Sequence, residues 1–127
     1  MAQLPGARLL ASFGLVVALA CGCVRADMAP PPATAALELT VGSAGGDALA
    51  FLPDAVRAPA GTSVRITFRN ESSQPHNLTF PAPVSAASMT IVEAGMTDVV
   101  NLVTPGPGSY PFVCTIHVGM SGTLTVT

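Results

Sequence analysis

One cysteine, one histidine and one methionine lie within seven residues near the end of the chain, from Cys114 to Met120. Cys114, His117 and Met120 are spaced by three, which places their side chains on one side of a tight loop. A second histidine, His76, opens the run HNLTF after Pro75 and would face the same side as the buried residues of that strand. Thiolate and imidazole bind soft transition metals strongly, and a thioether adds a weak axial contact. This donor set predicts a mononuclear copper site.

Other interpretations of these residues remain open when each is taken singly. Zinc fits less well, because structural zinc usually takes four strong donors and this part of the chain offers three. Cys114 could be a small buried apolar residue or could pair with Cys23, and Met120 could fill the core. Two histidines could simply lie at the surface. The joint occurrence at this spacing favours the metal.

From position 37 onward the sequence consists of short strand-like runs separated by turn-rich segments. In Ser63–Arg69, for example, Val64, Ile66 and Phe68 share one face, which predicts a half-buried strand. We expect no helix longer than about one turn. The eight runs are LELTV, ALAFL, SVRITFRN, HNLTF, TIV, DVVNLV, SYPFVCT and TLTVT. Their spacing predicts an all-β sandwich of about 90 residues.

The first 20 residues have the pattern of an export signal: Arg8 precedes an uncharged apolar run that is too short to span a bilayer comfortably. Ala-Leu-Ala-Cys resembles the box that is cleaved and lipidated in bacterial lipoproteins, so we expect lipidation at Cys21. A cut after Ala26 is the alternative and would release a soluble protein. Residues 21–36, rich in Pro and Ala, are predicted to be a tether. The folded domain would then be 37–127, held in the periplasm or at the outer cell surface.

Charge narrows the range of partners. Without residues 1–20 the chain keeps all seven acidic residues and four of its five arginines, a net charge of −3, and it has no lysine. A nucleic-acid partner is therefore not expected, and no basic surface is available for anionic lipid. Any membrane attachment would come from the lipid anchor at Cys21.

The segments PHNLTF and CTIHVGMSGTLTV resemble the cupredoxins, the blue type-1 copper proteins, and the Cys-x-x-His-x-x-Met spacing is similar to that of their amicyanin branch. The resemblance, which extends to plastocyanin, implies a Greek-key β-sandwich of about seven to eight strands with one copper ion. It also implies that Asn77 hydrogen-bonds the residue after the cysteine, Thr115. The implied copper ligands are His76, Cys114 and His117 in the equatorial plane and Met120 on the axis.

The chain departs from amicyanin and plastocyanin just before the second histidine, where they usually carry proline and this chain has Ile116. A peptide N–H is present there as a result. We hypothesise that this N–H donates to the Cys114 sulfur and raises the reduction potential. Voltammetry of Ile116→Pro tests the hypothesis, which requires the potential to fall.

The resemblance implies one-electron transfer outside the cytoplasm, with copper cycling between Cu(I) and Cu(II). Redox protein partners would dock weakly near His117, on an apolar patch supplied by Pro75, Pro81, Pro83, Val118 and Met120, and the protein would be a monomer. The alternative function is copper storage or delivery in the cell envelope, although the scattered methionines favour electron transfer. Independent catalysis is not expected, because both histidines are already used as ligands.

Overall fold

A computed structural model describes residues 36–127, and their regular elements are all β-strands. No helix in this part of the chain has the length and apolar character needed to cross a bilayer. The nine strands are β1 (Leu37–Ser43), β2 (Phe51–Leu52), β3 (Ala55–Ala58), β4 (Ser63–Arg69), β5 (Thr79–Phe80), β6 (Ala86–Ala87), β7 (Thr97–Val103), β8 (Gly108–Val113) and β9 (Ser121–Val126).

The strands form two sheets, with strand orders β2-β1-β4-β7 and β3-β9-β8-β5-β6. The β1–β4 and β3–β9 pairs are parallel and the others are antiparallel. Between β2 and β8 the chain changes sheet five times, which is the long-range connectivity of a Greek-key sandwich. The predicted all-β sandwich is confirmed.

The core lies between the sheets and contains aromatic side chains from both. Val64, Ile66 and Phe68 of β4 are buried and alternate with more exposed residues, as predicted. Phe112 of β8 packs against Phe51 of the other sheet, with ring centroids 5.1 Å apart in an edge-to-face arrangement. Because Phe112 lies two residues before Cys114, this packing fixes the end of β8, from which the loop with the cysteine starts.

The strand count differs from the seven to eight expected. Strand β3 was missed because Ala55–Ala58 is short and its partner, β9, lies far along the chain. The run TIV is not a strand: Val92 forms only an isolated bridge with His76. Strand β6 lies outside the eight predicted runs, in one of the turn-rich segments between them, and HNLTF contributes only Thr79 and Phe80 to β5. Strands and bridges as short as these span too few residues to show an alternating pattern in the sequence.

Candidate metal centre

The loop Cys114–Met120 connects β8 to β9 and is held closed at its base. Val113 pairs with Ser121 across the two strands, and the Cys114 N–H donates a hydrogen bond to the Met120 carbonyl at 3.0 Å. Gly119 has a φ of +89°, in the left-handed region that glycine adopts without a Cβ penalty. The hairpin therefore brings Cys114 and Met120 together at the base of the loop.

His76 is fully buried, and its backbone is fixed by a neighbouring segment. Its N–H donates to the Val92 carbonyl at 3.1 Å, and its carbonyl accepts the Val92 N–H at 2.8 Å. Pro75, just before it, has no N–H to satisfy. This pairing sets the position of the imidazole relative to the loop that carries Cys114.

Three donor atoms meet where the two segments approach each other. The Nδ1 atoms of His76 and His117 are 3.1 Å apart, and the Cys114 Sγ lies 3.7 Å from the first and 3.8 Å from the second. No other group of three or more histidine, cysteine or acidic side chains gathers in this way within residues 36–127.

These separations fit a single metal ion. Typical metal bonds of about 2.1 Å to nitrogen and about 2.3 Å to sulfur allow nitrogens up to about 4.2 Å apart and nitrogen–sulfur pairs up to about 4.4 Å apart to share one ion. The three observed distances are all shorter than these limits. Two imidazoles and one thiolate are a donor set that copper accepts.

The surroundings of His76 keep its ring in the neutral form, which is the form that can bind a metal ion. The pKa of His76 is lowered from its ordinary value, first by burial and then by the charge that His117 can carry. At neutral pH the His76 imidazole is therefore neutral, so that one ring nitrogen has a lone pair for a metal. If that nitrogen is Nδ1, the proton lies on Nε2, which is buried and has no hydrogen-bond partner among residues 36–127.

Asn77 joins the histidine segment to the cysteine loop. Its Oδ1 accepts the Thr115 N–H at 2.8 Å, and its Nδ2 donates to the Thr115 hydroxyl at 2.7 Å and to the Thr90 carbonyl at 2.8 Å. Thr115 directly follows Cys114 in the chain. Asn77, which is also buried, thus fixes the cysteine relative to His76.

Comparison with known proteins assigns the family. A model of the cupredoxin-like domain matches residues 13–126, which is most of the chain. The chain belongs to the cupredoxin family. It is 33% identical to plastocyanin of Ginkgo biloba and 37% identical to plastocyanin of Mercurialis perennis, matching 71% of this chain and 99% of each relative.

Solved structures agree with this assignment. The cupredoxin chain matches auracyanin A, a blue copper protein of Chloroflexus aurantiacus, at 25% identity and a TM-score of 0.64. The match covers 73% of this chain and all of auracyanin A. Auracyanin B matches at 28% identity and a TM-score of 0.63, covering 75% of this chain and 92% of that one.

One member of the predicted docking patch is misplaced. Met120 is only 1% exposed in this cupredoxin, so its inclusion in a docking surface is wrong. Its side chain is buried because it lies at the base of the β8–β9 hairpin, where the chain re-enters the sheet. Pro81, Pro83 and Val118 are exposed, and Pro75 is partly buried.

Two exposed apolar residues beside the site were absent from that patch. Ile116 is exposed in the loop next to His117, and Ile91 is exposed beside Val92. Ile91 was missed because TIV had the composition of a strand. Thr90 and Val92, which hold Asn77 and His76, were also missed because they act through backbone carbonyls, and a carbonyl carries no residue-specific signal.

The hydrogen bond predicted from the Ile116 N–H to the Cys114 sulfur is absent from the described residues. The polar contacts of the sulfur there are the two imidazole nitrogens. The hypothesis that Ile116 raises the reduction potential therefore has no support from the structure.

Proposed function

We propose that this cupredoxin is a one-electron carrier that holds one copper ion through His76, Cys114 and His117, with Met120 as a weaker fourth ligand. The observation that carries the proposal is the meeting of three donor atoms within 4.8 Å of one another. Copper at such a site supplies a one-electron couple, Cu(I)/Cu(II). The family assignment and the similarity to plastocyanins and auracyanins support the same function.

The surrounding residues keep the donors in place. The paired strands fix Cys114 and Met120, and Asn77 fixes the cysteine loop to the His76 segment. Donors held in this way move little when the charge of the site changes by one electron, which makes electron transfer fast.

His117 provides the route to the surface. His76 and Cys114 are buried, whereas His117 is partly exposed and lies between the exposed side chains of Ile116 and Val118. We propose that redox protein partners dock on this apolar surface and exchange electrons through the His117 ring. Independent catalysis is not part of the proposal, because both histidines of the chain serve as ligands.

Addition of Cu(II) to the metal-free protein tests the proposal. We expect one equivalent to produce an intense blue thiolate-to-Cu(II) absorption and a reversible one-electron wave in voltammetry. Cys114→Ser removes the colour, whereas the matched change Cys23→Ser preserves it. A colourless protein that passes Cu(I) readily to an acceptor would contradict the carrier function and favour copper storage or delivery.

We also propose that residues 1–20 direct export and that 21–36 tether the domain 37–127 to a membrane through lipid on Cys21. Residues 1–35 lie outside the described part of the chain, so this proposal depends on sequence alone. Mass spectrometry of the mature protein tests it. An acylated N-terminal Cys21 supports the anchor, and a mature chain that begins at Asp27 contradicts it.

A further inference from the structure

Asn70, directly after β4, is a buried polar residue that lies outside both PHNLTF and CTIHVGMSGTLTV, the two segments that contain the copper ligands. Its side chain is 1% exposed. A buried amide is destabilising unless its polar atoms all find partners. An asparagine amide can accept two hydrogen bonds and donate two, and Asn70 makes all four.

The two hydrogen bonds that Asn70 donates hold the backbone just before His76 and the backbone that pairs with His76. Its Nδ2 donates to the Gln74 carbonyl at 2.7 Å, two residues before the histidine. It also donates to the Val92 carbonyl at 2.8 Å, the same oxygen that accepts the His76 N–H. One amide group therefore fixes the approach of the chain to His76 and the carbonyl that binds it.

Ser43, the last residue of β1, sets the orientation of this amide. Its hydroxyl donates to the Asn70 Oδ1 at 2.8 Å and accepts the N–H groups of Glu71 and Ser72. The Oδ1 also accepts the Ser72 N–H at 3.1 Å. With donors on the oxygen side, the Nδ2 must face the two carbonyls.

The hydrogen bonds of Asn70 matter because the imidazole of His76 depends on its backbone for its position. A metal-binding histidine normally donates its other ring N–H to a nearby acceptor, and that bond fixes the ring. The His76 Nε2 has no such partner within residues 36–127. The position of the His76 Nδ1 therefore depends on its backbone and its packing, and the backbone is what Asn70 holds.

We propose that Asn70, oriented by Ser43, is a positioning residue for the His76 Nδ1. It acts separately from Asn77, which fixes the cysteine loop. This inference rests on the copper site proposed above, because only a metal gives the position of that nitrogen a functional meaning. Asn70→Asp keeps the size and shape of the side chain but replaces both donors with an oxygen that faces two carbonyls.

Amide hydrogen exchange of the metal-free protein is the first test, and it needs no copper. Asn70→Asp is expected to speed exchange of the His76 N–H about tenfold, because the Val92 carbonyl that accepts this N–H loses its hydrogen bond from the Asn70 Nδ2. The Thr115 N–H is expected to exchange as in the wild type. Equal acceleration at both amides overturns the proposal, since a purely structural role of Asn70 would loosen both segments. No acceleration at either amide also overturns it, because Asn70 would then not hold the His76 backbone. Asn101→Asp, the same substitution at an exposed site on β7, controls for the added charge.

Copper binding is the second test. Asn70→Asp is expected to weaken Cu(II) affinity about 10- to 100-fold and to change the Cu(II) electron paramagnetic resonance spectrum, whereas Asn101→Asp leaves both unchanged. Wild-type affinity and spectrum in Asn70→Asp overturn the proposal. If that variant does not fold, Ser43→Ala decides: a changed spectrum supports the proposal and an unchanged one overturns it. A wild-type protein that gives no blue colour refutes the copper function, and the exchange experiment still tests the role of Asn70.

Discussion

At the scale of single residues, Asn77 is the side chain that joins the two ligand segments. Asn77→Ala removes three hydrogen bonds and leaves the Thr115 N–H without its acceptor. We expect the free energy of unfolding of the metal-free protein to fall by about 2 kcal/mol. We also expect Cu(II) affinity to fall about tenfold. Urea denaturation and copper titration measure the two effects.

The matched control for Asn77 is Asn101→Ala on β7, where the side chain is exposed. A change within about 0.5 kcal/mol is expected there. Equal losses of stability and affinity in the two variants would contradict the role assigned to Asn77.

The lowered pKa of His76 predicts how the metal-free protein responds to pH. Because burial, and then the charge on His117, lowers this pKa in the folded state, the unfolded chain binds a proton at higher pH. The contribution of His76 to the free energy of unfolding is therefore fully present above the ordinary histidine pKa of about 6.5. It is lost as the pH falls through the pKa that His76 has in the folded state. Thermal unfolding at pH 7.5 and pH 5.5 measures the loss.

His76→Gln, which does not titrate, is the control for the pH effect. The chain has only two histidines, and most other side chains do not change charge in this range. We expect a clearly smaller dependence of the melting temperature on pH in His76→Gln. An unchanged dependence would assign the effect to another group.

Residues that act through side-chain chemistry could be predicted from the sequence. His76, Cys114 and His117 have distinctive donor atoms, and the structure brings these three together. Asn70 could not be predicted, because its role depends on which backbone carbonyls lie within reach, and only the fold determines that.

At the scale of elements, clear alternation predicted strands well and single contacts were missed. The pattern of Ser63–Arg69 gave β4 its correct bounds and buried face. The segment around Val92 was interpreted as a strand, yet it contributes one bridge that holds His76. Such a bridge is formed by tertiary contacts rather than by local preference, so no periodic pattern indicates it.

Close packing in the β8–β9 hairpin fixes the base of the ligand loop. Gly122 lies opposite Phe112, and a Cβ at this position would overlap the Phe112 ring and lie 2.6 Å from the Asp54 carbonyl oxygen. Since neither a buried ring nor a backbone oxygen can move away easily, Gly122→Ala is expected to cost about 3 kcal/mol of stability. Urea unfolding of the metal-free protein measures this cost.

Gly106→Ala is the control for the packing effect. A Cβ at Gly106 meets no atom within 4 Å, so a change smaller than about 0.5 kcal/mol is expected. If both glycine substitutions had the same effect, close packing against Phe112 could not be its cause.

At the scale of the whole molecule, two exposed valines lie at different ends of the fold. Val118 is in the ligand loop beside His117 and is fully exposed. Val103 is the last residue of β7 and pairs with Ser63, whereas the His76 segment follows the opposite end of β4, about 20 Å away along the strand. A substitution of Val118 therefore changes the surface next to the metal centre, and a substitution of Val103 changes a surface far from it.

Electron self-exchange between reduced and oxidised copies distinguishes these two surfaces. If copies meet at the His117 surface, Val118→Asp places a negative charge on both partners and slows exchange about tenfold at low ionic strength. Added salt should restore much of the rate, because the screening length is about 10 Å at 0.1 M. Line broadening in nuclear magnetic resonance spectra of mixed-valence samples measures the rate. Val103→Asp adds the same charge and should exchange nearly as fast as the wild type, and an equal slowing in both variants would show that net charge, rather than contact beside His117, controls the encounter.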